Sequence, residues 1–299
     1  MHQHTPDPLL TPVTPTVVTE PGPGQRWSTW TSVAKGQHGP EPRPDWVVTA
    51  DAALDTELGV LKTGKEADVF LVERAVPDDV RQHSVLAAKR YRGRENRQFH
   101  RDSTYTEGRR ARRTRDQRAV EDRRSAWGRR VAATQWADAE FSALCQLWDA
   151  GAPVPYPVQV DGTELLLEFV GHRTDDGGYE AAPRLARLRP ERDVLADWFD
   201  QLHRAMSVLA RLGWAHGDLS PYNILVDSFD TFDTAGASCS PDGGRLVVID
   251  LPQVVDLVAN PFGADLLHRD CRNVCAWFAA RGLEVDVDEL FADVFAQAW

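Results

Sequence analysis

The decapeptide HGDLSPYNIL at residues 216–225, followed after a polar stretch by LVVID at 246–250, restricts this chain more than any other feature. Asn223 to Val226 and Leu246 to Ile249 are short apolar runs bounded by turn residues, which predicts two neighbouring strands of a small hairpin. That pairing carries Asn223 to the start of one strand and Asp250 to the end of the other, with Asp218 on the tight loop before them. An amide and a carboxylate on adjacent strands suit Mg2+, which takes one or two carboxylates and completes its shell with phosphate oxygens and water. Asp218 is then free to orient or deprotonate a hydroxyl, the division of labour used in phosphoryl transfer. Taken alone, Asp218 and Asn223 equally fit a turn or a helix cap.

The remaining parts of such a site occur earlier in the chain. DVFLVE (68–73) and SVLAAK (84–89) read as paired strands, the second ending on Lys89. GVLKTGKEADVF (59–70) is a glycine-containing turn between extended segments whose N–H groups and Lys65 suit phosphate oxygens. It is neither a Walker A loop nor a full G-x-G-x-x-G. Residues 134–150 repeat apolar positions at helical spacing, through Ala137, Phe141, Leu144, Cys145 and Trp148. Glu140 lies about 60° from the centre of that stripe, at an edge that faces a cleft better than open solvent. Lys89 is thereby expected to reach phosphates with Glu140 holding its ammonium, and its removal to cost transfer while leaving folding intact.

Beyond Glu140, LLLEF (165–169) reads as a strand, 171–178 as a linker, and 193–212 as a helix stopped by Gly213. Nine of the 19 prolines fall in residues 1–44, so residues 1–45 are expected to be a disordered tail, with order beginning near Trp46. Deleting residues 1–44 is accordingly expected to leave the melting transition unchanged. The net charge of -11 argues against general polyanion binding. Yet 17 of the 34 basic residues lie between Arg81 and Arg130, against 6 acidic ones. Segment 90–130 thus reads either as a solvated loop or as a flap over an anion. It lacks the aromatic interleaving of a single-strand binder. Cys145, Cys239, Cys271 and Cys275 form no C-x2-C pair, and no apolar run nears the ~18 residues of a membrane span. Cys271 and Cys275 read as small core residues in preference to metal ligands. A cytoplasmic protein is the expectation.

TGKEADVF, AAKRY, TEGRRARR, WADAEF, AGAPVPYP, LLLEFVG, HGDLSPYNIL and VVIDLPQ occur in an order that resembles RIO-type atypical serine/threonine protein kinases, over about Leu58 to Phe295. The likeness is strongest to the subfamily without an N-terminal winged helix. It implies an α+β, two-lobed protein-kinase-like fold: a strand-rich N-lobe at 46–170 carrying the Arg-rich insert, and a reduced helical C-lobe at 171–299. It implies ATP with Mg2+, or Mn2+ in its place, as cofactors. Catalytic roles fall on Asp218, Lys89 and Glu140, and metal ligation on Asn223 and Asp250. ATP contacts fall on Thr63, Gly64, Lys65, Glu66, Val69, Ala87 and Lys89, with backbone groups of Glu168 and Val170 meeting adenine. The chain departs from the family's pattern at Thr63, where Ser is frequent, at Pro221 and Pro252, and in the long insert 228–244.

By the same resemblance the Arg-rich segment implies an RNA or ribosomal partner, no membrane being involved. The protein substrate is not named by it. With 49 residues after Asp250 there is little chain for an activation segment and substrate-binding helices, so peptide recognition is expected to be reduced. An ATPase-driven binding module, with a transient phosphate on Asp250, is therefore an alternative to a kinase acting on proteins or on itself. Small-molecule kinases of the aminoglycoside or choline type share the HGD, Asn and Asp set. The TGKEADVF loop and the Arg-rich insert speak against that third reading.

Overall fold

A computed structural model of the chain describes residues 20–92, 126–228, 243–252 and 254–299. Three long strands, β2 (Leu54–Thr63), β3 (Ala67–Val76) and β4 (Asp79–Tyr91), form an antiparallel meander. With β1 (Gln25–Trp27), β5 (Pro157–Asp161) and β6 (Glu164–Glu168) they make a six-stranded sheet in the order β1-β2-β3-β4-β6-β5. The helix α1 (Ala126–Asp149) joins β4 to β5 and packs on β4, β5 and β6. It begins inside the segment expected to run to residue 130, and Arg90 and Tyr91 belong to β4; residues 93–125 lie outside the described residues.

Alternation along the strands gives the sheet two different faces. Val72, Leu86, Ala88, Val158 and Leu166 point one way and pack with Trp30 and Tyr156, while Leu165 joins the α1 side with Phe141, Leu144 and Leu147. The first face is apolar and needs a cover. Residues 25–48 supply it, which corrects the expectation of a disordered tail to residue 45. Strand β1 pairs with β2, and Trp30 is 6% exposed. The Tyr156 hydroxyl donates to Pro40 O at 2.9 Å, and Gly39 N–H donates to Val158 O at 3.0 Å. A Cβ on Gly39 would stand 1.9 Å from Pro157 O, so only glycine lets the chain run this close. Proline and low periodicity here mark an extended strap with few backbone pairs of its own. Residues 1–19 lie outside the described residues. Deleting residues 1–44 strips the cover from an apolar sheet face, so the expectation of unchanged melting is withdrawn.

A buried network ties strap and sheet together. Arg74, wholly enclosed, grips Asp55 through Nε at 2.6 Å and Nη2 at 2.9 Å, and donates from Nη1 to Gln159 Oε1 at 2.8 Å. Gln159 in turn donates to Thr29 Oγ1 at 2.7 Å. The bidentate fork satisfies the carboxylate that burial would otherwise penalise.

The second half is helical around two small hairpins. Residues 171–178, expected as a linker, instead open a hairpin of β7 (Gly171–Arg173) and β8 (Tyr179–Ala181). Three-residue strands without an apolar run leave no periodicity to read. Of the stripe that helical spacing marks here, Leu195, Trp198, Phe199, Leu202, Met206 and Leu209, helix α2 (Arg192–Arg211) buries all but Phe199, which is half-buried. Strand β9 (Trp214–Ala215) leads into the HGD loop, then β10 (Ile224–Asp227) pairs antiparallel with β11 (Arg245–Val248). Strand β12 (Val255–Asp256) returns to pair with β9. Helices α3 (Gly263–Ala279) and α4 (Val287–Ala296) close this half, α4 capped by Asp286 on the N–H groups of Asp288 and Glu289. Cys271 and Cys275 face the core, where burial pushes their thiols up to about 12 and about 11.

Candidate active site

Where the two halves meet, Lys89 stands between two carboxylates. Its Nζ lies 2.8 Å from Glu140 Oε1 and 2.8 Å from Asp250 Oδ1, so β4, α1 and the end of β11 converge on one ammonium. Glu140 is 1% exposed, deeper than an edge position on an isolated helix suggests. Its Oε2 accepts from the Tyr91 hydroxyl and its Oε1 from Leu251 N–H at 3.1 Å. Burial alone would lower the Lys89 ammonium, but Glu140, Tyr91 and Asp250 together hold it well above its ordinary value. Burial likewise opposes ionisation of Asp250, yet Lys89, then Lys62 and His216, keep that carboxyl below its usual range. Asp250 adopts φ 68, a left-handed conformation that costs a non-glycine residue about 1–3 kcal/mol and recurs where geometry serves function.

The HGD loop is fixed from behind. His216 Nδ1 accepts from Asp218 N–H at 3.3 Å, leaving the Nε2 proton for Ile249 O at 3.2 Å. Asp270 of α3 takes Gly217 N–H on Oδ2 and Leu219 N–H on Oδ1, each at 2.8 Å, straddling Asp218. Asn273 donates to Leu219 O at 3.0 Å, and Arg269 donates to Gly217 O. Asp218 itself is left exposed. Asn223 spends its amide nitrogen on Asp218 O at 3.0 Å, and its own backbone oxygen accepts from Ile249 N–H at 2.9 Å. Its amide oxygen is the atom left for a cation. Asn223 and Asp250 thus offer an amide and a carboxylate, donor types that suit Mg2+ with remaining ligands from phosphate and water. Among the described residues no three His, Cys, Asp or Glu side chains gather into a metal cage of their own.

The residues expected from sequence to meet a nucleotide lie on β2, β3 and β4, in the turn between β2 and β3, and at and just after the end of β6. Thr63 pairs with Asp68, and Gly64 N–H donates to Ala67 O at 3.0 Å, so Thr63, Gly64, Lys65 and Glu66 form a tight turn at the tip of β2 and β3. A Cβ on Gly64 would come within 2.6 Å of Ala67 O, which explains the glycine. Val69 lies opposite Lys89, and Ala87 is two residues before it on β4, which puts all three on the cleft face. Glu168 and Val170 occupy the passage from β6 to the β7–β8 hairpin. Glu168 is braced by Tyr156, whose N–H meets its Oε2 at 2.9 Å, and Val170 O accepts from Ala182 N–H at 3.0 Å.

Tyr91 and Asp270 were missed from sequence. Tyr91 stands in the quoted AAKRY without any pattern of its own. Asp270 carried a signal: it sits in LLHRDCRNVC among Leu266, Leu267, Cys271 and Val274, an acid inside an apolar helical stripe. A carboxylate there must find buried donors.

The RIO domain family model matches residues 84–290. The RIO-type serine/threonine-protein kinase Rio1 of Haloferax volcanii is 34% identical over 246 residues, 81% of this chain and 69% of that protein. Human serine/threonine-protein kinase RIO3 is 26% identical over 242 residues, which span 79% of this chain and 41% of RIO3. Among solved structures, the Rio2 kinase from Chaetomium thermophilum superposes with a TM-score of 0.50 at 21% identity, covering 81% of this chain and 63% of that one. The last likeness bears on fold alone.

Proposed function

The chain belongs to the RIO family of serine/threonine-protein kinases, with the family's two-lobed, kinase-like α+β fold, and from that premise we propose that it binds Mg-ATP in the cleft around Lys89 and transfers the terminal phosphoryl group. In this reading the strand-rich half, up to about residue 170, is the N-lobe and residues 171–299 are the C-lobe. The observation that carries the proposal is the convergence of Lys89, Glu140 and Asp250 beside an exposed Asp218.

Each residue then has a task that follows from its surroundings. Glu140, anchored by Tyr91 and Leu251, holds the Lys89 ammonium toward the phosphates. Thr63 to Glu66 cover them from above, and Val69, Ala87 and the Glu168–Val170 passage receive the base. Asn223 and Asp250 hold Mg2+, which when bound neutralises charge on the phosphate oxygens. Asp218 accepts the proton of the attacking hydroxyl as that oxygen bonds phosphorus and the bond to ADP breaks.

The acceptor is a protein hydroxyl, one on the chain itself, or water. Hydrolysis by a partner-bound ATPase is favoured by one feature: residues 251–262 alone separate Asp250 from α3, and β12 within them folds straight back onto β9. Among its described residues that run holds no extended platform for a peptide. A ribosomal or RNA contact through the Arg-rich segment rests on its sequence, since residues 93–125 lie outside the described residues. A cytoplasmic location rests on the unpaired thiols; Cys145, Cys271 and Cys275 are free, and no helix among the described residues is long and apolar enough to cross a membrane.

Incubation with γ-labelled ATP and Mg2+ tests the proposal. Label should appear on protein hydroxyls, on the chain itself or as free phosphate, and should vanish in Lys89→Met. Failure to consume Mg-ATP in the presence of any of these acceptors would contradict it.

A further inference from the structure

On the reading that the cleft holds Mg-ATP, we infer that Lys62 and Arg184 form a second cationic pair, one from each lobe, that recognises the terminal phosphate of the triphosphate. The strand register places the first member. Lys62 on β2 lies opposite Val69 on β3, and Val69 lies opposite Lys89 on β4. Residues directly opposed in antiparallel strands share a face, so Lys62 points to the same side of the sheet as Lys89, two strand spacings or roughly 10 Å away. A register shift between Val60 and Lys62 adds a residue to β2 just before this position. Such bulges re-aim side chains beside active sites.

Arg184 comes from the other side. It forms an isolated bridge with Leu225, and its guanidinium donates to Tyr222 O, one residue before Asn223. That contact fixes it against the loop that carries Asp218 and Asn223. Lys62 feels Arg184, and both feel Asp250: burial, then Arg184 and Lys89, pull the Lys62 ammonium below its ordinary value, and burial, with Arg187, lowers Arg184, while Asp250 raises each. Among the described residues neither Lys62 nor Arg184 reaches a carboxylate within ion-pair distance, whereas Lys89 is taken by Glu140 and Asp250.

Two like charges held toward each other without a counterion repel, and an anion between them turns that repulsion into two attractions. Asp250 serves this poorly once Mg2+ claims it. The phosphate that faces Asp218 is the transferred one, and Arg184 is bound to the same loop. The pair therefore reads the phosphate that distinguishes ATP from ADP, whereas Lys89 lies deeper and reads what both share.

Calorimetric titration of the full chain with Mg-ATP and with Mg-ADP tests this. Lys62→Ala should weaken Mg-ATP about tenfold or more, the loss expected for one charge-assisted contact, and Mg-ADP by less than about twofold. Arg184→Ala should do the same; Arg184→Lys and Lys62→Arg, which keep the charge, should recover most of the ATP preference. Recovery in Arg184→Lys separates phosphate recognition from the bond to Tyr222 O. Equal losses for ATP and ADP, or no loss for either, would overturn the inference while a wild-type chain that still binds Mg-ATP leaves the kinase reading standing. A wild-type chain that binds neither nucleotide would sink both.

Discussion

At the scale of single residues, the Lys89 ammonium does two jobs that its sequence position suggests only in part. It lines the cleft, and it also neutralises Glu140, a carboxylate almost wholly out of water. Removing one partner of a buried pair leaves the other uncompensated, at a cost of about 3–5 kcal/mol. Lys89→Met is therefore expected to lower the melting temperature as well as abolish transfer, contrary to the sequence-based expectation of intact folding. The double variant Lys89→Met with Glu140→Gln should recover most of the lost stability and none of the activity, because the neutral amide no longer needs a counterion. Thermal melts of the three variants check this; additive destabilisation in the double variant would show that the pair is not coupled. The order of Lys89, Glu140, Asp218, Asn223 and Asp250 was legible because each sits in a short motif with its own chemistry. The depth of Glu140 was not. A helical wheel knows only its own helix, whereas Tyr91 and Leu251 close over the carboxylate from β4 and the segment after β11.

At the scale of elements, α3 fixes the HGD loop through Asp270. Burial pushes that carboxyl up to about 6, against the pull of His216 and the two amides it accepts from. Its folded value is above its ordinary one, so the folded state takes up the proton more readily than the unfolded chain. Acidification from neutral pH through about 6 therefore favours folding at this group, and ionised Asp270 is a cost above it. Catalysis runs the opposite way, since protonation turns one of the two oxygens into a hydroxyl, a much poorer acceptor for the Gly217 or Leu219 amide. Transfer should fall as pH drops through about 6 with no matching fall in melting temperature assignable to this residue. In Asp270→Asn the rate should be low and flat across that window. An acid limb that survives in Asp270→Asn would assign it elsewhere. Elements differed in how well they could be read. Strands β3, β4, β6, β10 and β11 and helix α2 declare themselves by apolar period. The strap at 25–48 and the β7–β8 hairpin are held by tertiary contacts, such as Trp30 under Tyr156 and Gly39 against Pro157, that no local period encodes.

At the scale of the whole molecule, the fold brings together a strand-borne ammonium, Lys89, a helix-borne carboxylate, Glu140, and the carboxylate of Asp250 after β11, although they are distributed between residues 89 and 250. The central claim is that the two aspartates of that cleft divide the work, Asp218 acting on the acceptor and Asp250 on the metal. Asp218 is exposed and, among the described residues, bonded only through its backbone, whereas Asp250 is held by Lys89. The most direct test is titration of Asp218→Asn and Asp250→Asn with ATP, with and without Mg2+, alongside transfer rates. Asp218→Asn should bind Mg-ATP with near-normal affinity while transfer falls about 10²-fold or more, the scale of a lost general base. Asp250→Asn should lose the Mg2+ dependence of nucleotide binding. Loss of Mg-ATP binding in Asp218→Asn, with binding and transfer intact in Asp250→Asn, would contradict the account.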